Sequence, residues 1–127
     1  MKGELSIINK TNGKPPRLPF AHLKDDILGV GYSLSLAFVT PKESHRLNLA
    51  HRQKDKPTNV LSFVYEKNSG ELVLDLTTSK KDAVNFDMTK EKFLLFLVIH
   101  GMLHLKGMDH SSTMEKAEKK WLDKYSL

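Results

Sequence analysis

The segment FLLFLVIHGMLHL, residues 93–105, constrains the fold more than any other stretch. Wound into a helix it is apolar on nearly every side and offers no broad face to water, so it has to lie inside a domain. The run at 93–99 is far shorter than the roughly 20 residues that cross a bilayer. Protein rather than lipid must therefore cover it.

The rest of the chain supplies the cover. Residues 4–9 alternate enough, through Leu5 and Ile7, to predict a first strand, and TNGKPP then reads as a turn. Phe20, Leu23, Ile27 and Leu28 recur with helical spacing over 19–28, and YSLSLAFV at 32–39 alternates as a strand does. Thr40, Pro41 and Glu43 combine a capping hydroxyl, a proline suited to the first helical position and a glutamate three after the cap. They predict a second helix that ends near Arg52. VLSFVY at 60–65 and ELVLDL at 71–76 read as a hairpin joined by the five residues EKNSG. Residues 77–87 are polar and without clear pattern. The apolar helix starts around Asp87 or Thr89. A last, amphipathic helix opens near Ser112 and carries Met114, Ala117, Trp121, Leu122 and Tyr125 on one face. Four strands and their helices make an α+β fold, and 127 residues without a linker or repeat are expected to form one domain, residues 1–127.

Composition narrows the chemistry. The 39% hydrophobic and 28% charged residues suit a globular protein, neither disordered nor membrane-embedded. A formal charge of +5 mildly favours polyanionic partners. With no cysteine, a metal must be held by His, Asp, Glu or backbone oxygen. Absent cysteine and an N-terminus without a signal-peptide pattern make a cytoplasmic location the expectation.

Three of the six histidines fall in HGMLHLKGMDH, residues 100–110. His100 and His104, four apart on a helix, stack on one face within reach of one ion. Gly107 suits the left-handed conformation that ends a helix, and that reversal returns His110 toward the pair. Three neutral imidazoles suit zinc and leave a coordination position for water, as catalytic sites do. The spacing is that of metzincin proteases, but the glutamate that serves them as general base is replaced by Gly101. Peptidase chemistry then lacks its proton acceptor. A glycine inside a helix costs about 1 kcal/mol relative to alanine, so something should approach closely there, and the missing side chain is expected to open room beside the metal for a bulky substrate.

HRQKDKPTNVLSF, residues 51–63, is the second constellation. Arg52 at a helix end can clamp a phosphate with two hydrogen bonds, or simply pair with Asp55 or Glu43. Lys54 and Lys56 follow it and can attract RNA phosphates. Thr58 and Asn59 suit a turn, and His22, His45 and His51 show no grouping.

With HGMLHLKGMDH and LNLAHRQKDKPTNVLSF in one short chain, the sequence resembles the bacterial YbeY family of metal-dependent endoribonucleases over about residues 32–122. The resemblance implies a mixed four-stranded sheet with surrounding helices, similar to the zincin arrangement. It implies that His100, His104 and His110 bind one Zn2+ and that Arg52 serves RNA cleavage. It implies action on single-stranded RNA, in 3′-end maturation of small-subunit (16S) rRNA and in ribosome quality control. His51 stands where the family commonly has tyrosine, Met108 where it has an aromatic and Glu71 where it has aspartate, and the 77–88 connection looks short. Two other readings stay open. One is a non-catalytic ribosome assembly factor that binds metal and RNA; the other is a metalloprotease.

Overall fold

The structure, a computed structural model, describes residues 3–126. Strands β1 (Leu5–Asn9), β2 (Ser33–Phe38), β3 (Val60–Glu66) and β4 (Ser69–Leu74) form one sheet in the order β1-β2-β4-β3. β1 and β4 both run parallel to β2, while β3 pairs antiparallel with β4, so the sheet is mixed and β3 lies at one edge. The α-helices among the described residues are α1 (Phe20–Ile27), α2 (Pro41–Arg52), α3 (Leu76–Ala83), α4 (Lys90–Leu105) and α5 (Ser112–Tyr125).

The period-two alternation of the strands sorts side chains to two faces. Leu34, Leu36 and Phe38 of β2 join Leu72 and Leu74 of β4 under the apolar helix α4, in the main core. The opposite face buries a smaller cluster, Ala37, Val39, Leu61 and Val73, against which Leu47 of α2 packs. Each large aliphatic side chain fully buried in this way contributes roughly 1.5–3 kcal/mol before the entropy of ordering is set against it.

Local signals fix the helix starts. The Thr40 hydroxyl accepts from the Glu43 amide at 3.2 Å with Pro41 opening α2, Thr89 caps α4 by accepting from Lys92 at 3.1 Å, and Ser111 caps α5 through Met114 at 3.2 Å. Each side-chain oxygen satisfies an amide that the helix itself leaves without a partner.

Two expectations are corrected. The hairpin link is Lys67–Asn68, not the five residues EKNSG; Glu66 pairs with Ser69, and the register shifts between Val64 and Glu66. Gly70, which reads as a turn residue, sits in β4 because a Cβ there would lie 2.5 Å from the Tyr32 hydroxyl and 2.9 Å from the Phe63 carbonyl. The strand also ends earlier, at Leu74, and the unpatterned segment after it is helix α3 followed by a 3-10 turn, Val84–Phe86. LTTSKKDA shows little apolar periodicity to mark it as a helix. What starts it is the buried Asp75 carboxylate, which accepts from the Thr78 amide at 2.9 Å.

Candidate metal centre

From Phe93 to Leu105 every residue of α4 is buried except Phe96, His100 and His104. These three are spaced by four, so the buried helix leaves open a single line, and it carries an aromatic ring and two imidazoles. α4 ends as the spacing predicts. Gly107 takes a φ of +102°, its amide donates to the His104 carbonyl at 2.9 Å and the Met108 amide to the Leu103 carbonyl at 3.0 Å, closing the helix with a left-handed turn. The reversal brings His110 back. One nitrogen from each of His100, His104 and His110 lies within 4.8 Å of the others, and the ring centroids are 4.5–5.2 Å apart.

Hydrogen bonding fixes which nitrogens face inward. His100 Nδ1 lies 2.5 Å from the Glu118 carboxylate, and His104 Nδ1 lies 2.9 Å from the Met108 carbonyl. Both partners are acceptors, so each Nδ1 donates outward and each Nε2 is turned toward the other histidines. The two Nε2 atoms then face one another at 3.0 Å, on the side toward His110. Nitrogens held about 2.0–2.1 Å from one tetrahedral zinc would be roughly 3.3 Å apart, so small side-chain shifts suffice. Burial, and next the neighbouring His100, push the His104 imidazole below its usual pKa, which keeps it neutral and available to an ion at pH 7. The residues present therefore fit a divalent cation.

Glu118 was not foreseen from the sequence, although it interrupts the apolar stripe of α5 between Met114 and Leu122. Its carboxylate orients His100 so that Nε2 points at the other two imidazoles. Glu118→Gln is expected to keep the fold and to lower metal affinity about 10- to 100-fold, measurable by competition with a chromophoric chelator.

The three histidines share a cleft of about 760 Å³ with Arg52, Thr58 and Ser62. Consecutive residues Val60 to Val64 all line it, which means that the cleft follows the open edge of β3 rather than either face of the sheet. Arg52 is exposed, and neither partner proposed for it from sequence is used: Glu43 binds Arg46 through two bonds of 2.8 Å, and Asp55 binds His45 at 2.6 Å. Among the described residues Arg52 has no ion pair, so its guanidinium stays available to the cleft. The loop after α2 is held by Asn48, which donates to the Lys56 carbonyl at 2.9 Å, and by Ser44, which accepts from the Thr58 amide at 3.3 Å. Lys54 and Lys56 are exposed on this loop and do not line the cleft. His51 does line it, edge-on to Phe63 with ring centroids 5.0 Å apart.

Gly101 is filled from the sheet side, not open to substrate. A Cβ there would meet Leu72 Cδ2 at 2.7 Å and Ser62 Oγ at 3.3 Å, so the expected room beside the metal does not exist. Gly101→Ala is expected to lower stability by about 1 kcal/mol, because crowding the fully buried Leu72 outweighs the gain in helix propensity. Thermal melting should show a midpoint several degrees lower.

An α+β domain with three convergent imidazoles on and just beyond a buried helix defines a zincin-like class of metal-site protein. Comparison with known proteins places it more narrowly. The sequence profile of the family described as "Endoribonuclease YbeY" matches residues 19–126, and the chain belongs to that family. Proteins named Endoribonuclease YbeY include one from Mycoplasmopsis synoviae, 39% identical over 95 residues covering 67% of this chain and 61% of that protein. Another, from Oceanobacillus iheyensis, is 35% identical over 118 residues, 81% of this chain and 75% of the relative. A match in Acinetobacter baumannii is 38% identical and covers 70% and 66%. The chain thus spans about three fifths to three quarters of the length of these curated relatives. The solution structure of TM1509 from Thermotoga maritima superposes with a TM-score of 0.66 at 28% identity, over 95% of this chain and 88% of that one. Among the described residues no helix is long and apolar enough to cross a membrane.

Proposed function

We propose that this chain is a zinc-dependent endoribonuclease that cleaves single-stranded RNA, with ribosomal RNA of the small subunit as its substrate in the cytoplasm. The observation that carries this reading is the meeting, in one edge-strand cleft, of three convergent imidazoles and an arginine that has no ion pair among the described residues. Imidazoles alone suit any metalloenzyme, but a guanidinium without a carboxylate partner facing them suits a phosphate diester.

His100, His104 and His110 would hold the ion, with Glu118 and the Met108 carbonyl fixing the first two rings. The chemistry such an ion supplies is polarisation of a phosphoryl oxygen and a lowered water pKa. Arg52 binds the scissile phosphate and neutralises the charge that grows on it in the transition state. Lys54 and Lys56, outside the cleft, attract phosphates on either side of the cleaved bond. Gly101 leaves the position used as general base in metzincins without a side chain, so no carboxylate of this chain stands there to take a proton from a water or from the RNA 2′-hydroxyl.

The test is to incubate the zinc-loaded protein with single-stranded rRNA fragments, duplex RNA and casein, each with and without chelator. Chelator-sensitive cleavage confined to single-stranded RNA is expected. Binding of RNA without cleavage would favour an assembly factor, and chelator-sensitive cleavage of casein would favour a protease.

A further inference from the structure

A second cavity, of about 340 Å³, adjoins the cleft and shares Asn59, Val60, His100 and His110 with it, but its far wall is aromatic. Phe86, Phe93, Phe96 and His100 form a row. Phe86 and Phe93 stack with centroids 4.9 Å apart at 25°, Phe93 and Phe96 lie 6.1 Å apart at 19°, and Phe96 and His100 lie 5.9 Å apart at 31°. Near-parallel planes thus run from the surface to the first imidazole. Phe86, at the outer end on the turn Val84–Phe86, is 56% exposed although it stacks on a ring that is almost wholly buried.

The two sides of the histidines differ in charge. Arg52 is on the cleft side, whereas the aromatic cavity is lined by Glu115 and Glu118 and by no lysine or arginine. A phosphate is repelled there, while a flat, neutral group with hydrogen-bond donors on its edge is accepted. Single-stranded RNA presents both kinds of group in alternation, and its unstacked bases are held by aromatic side chains.

Resting on the nuclease reading, we propose that the cavity is a nucleobase subsite in which a base of the bound strand stacks on the exposed Phe86 ring while the scissile phosphate, further along the strand, lies between Arg52 and the imidazoles. Phe86 is then a positioning residue that sets the register of the strand. It touches none of the reacting atoms.

The test measures binding apart from cleavage. Short single-stranded RNAs, intact or with one abasic ribose at successive positions, are titrated by anisotropy against zinc-loaded wild type, Phe86→Ala and Phe86→Trp. Phe86→Ala should weaken binding of intact RNA about 5- to 150-fold, the range for loss of one base stack. Phe86→Trp should retain affinity, and its added emission should change on binding. Removing the base at one position should weaken wild type but not Phe86→Ala. Zinc content should be the same in all three proteins, and loss of the Phe86–Phe93 stack should lower the melting of Phe86→Ala by only a few degrees, with the protein still folded at the assay temperature. Wild-type cleavage with no dependence on Phe86 would overturn the subsite and leave the nuclease standing. Base-dependent binding through Phe86 without cleavage would do the reverse. A Phe86→Trp response equal for intact and fully abasic strands would also overturn the subsite.

Discussion

His104→Ala is expected to abolish metal binding and RNA cleavage without unfolding the protein. Loss of an outer partner alone typically costs 10- to 100-fold in metal affinity, so removal of a ligand should cost more than about 100-fold and reduce cleavage to background. The sharper expectation concerns the metal-free state. His104 is only partly buried, and its Nε2 lies 3.0 Å from His100 Nε2. Removing a partly buried ring costs little packing, so metal-free variant and metal-free wild type should melt within a few degrees of each other. Zinc should raise the midpoint of the wild type alone, because a ligand that binds only the folded state stabilises it by mass action. Calorimetry of both proteins with and without zinc measures this. A variant that melts far below the metal-free wild type would mean that His104 is a packing residue.

Arg52→Ala should act in the opposite way, leaving metal and fold intact while removing chemistry. The side chain is exposed and has no protein partner among the described residues, so its loss should shift melting by less than about 0.5 kcal/mol. Cleavage should nonetheless fall about 10²- to 10³-fold, the usual effect of losing one donor to a charge that develops in the transition state. Arg52→Lys should restore only part of the rate, since an ammonium supplies charge without the two-pronged geometry. Single-turnover kinetics at saturating protein separate this from weaker RNA binding. Equal rates for wild type and Arg52→Ala would remove Arg52 from the reaction.

The imidazole cluster was legible because its determinants are local. Helical spacing places His100 over His104, and a glycine free to adopt a positive φ returns His110, all within eleven positions. Thr40, Pro41 and the strand at 32–39 were legible for the same reason. What stayed hidden depends on contacts distant along the chain. Nothing near Gly70 indicates that Tyr32 will press against it, so it reads as a turn. Helix α3 carries too little apolar pattern to be read locally and is capped by Asp75, whose carboxylate also accepts from Ser44 at 2.7 Å on another element. Gly101 signalled a close approach, and the approaching atom is indeed near; that it is Leu72 from the sheet and not a substrate is a matter of register between α4 and β4. Glu118 lies 18 residues from the histidine it orients, and its only local sign is a carboxylate in an apolar stripe.

The most direct measurement is elemental analysis of protein purified without an affinity tag, repeated on His100→Ala, His104→Ala and His110→Ala. About one zinc ion per chain in the wild type, and a large loss in each variant, is the predicted result. Wild-type protein that takes up no divalent ion, or variants that retain it in full, would contradict the assignment of these three imidazoles as a single site.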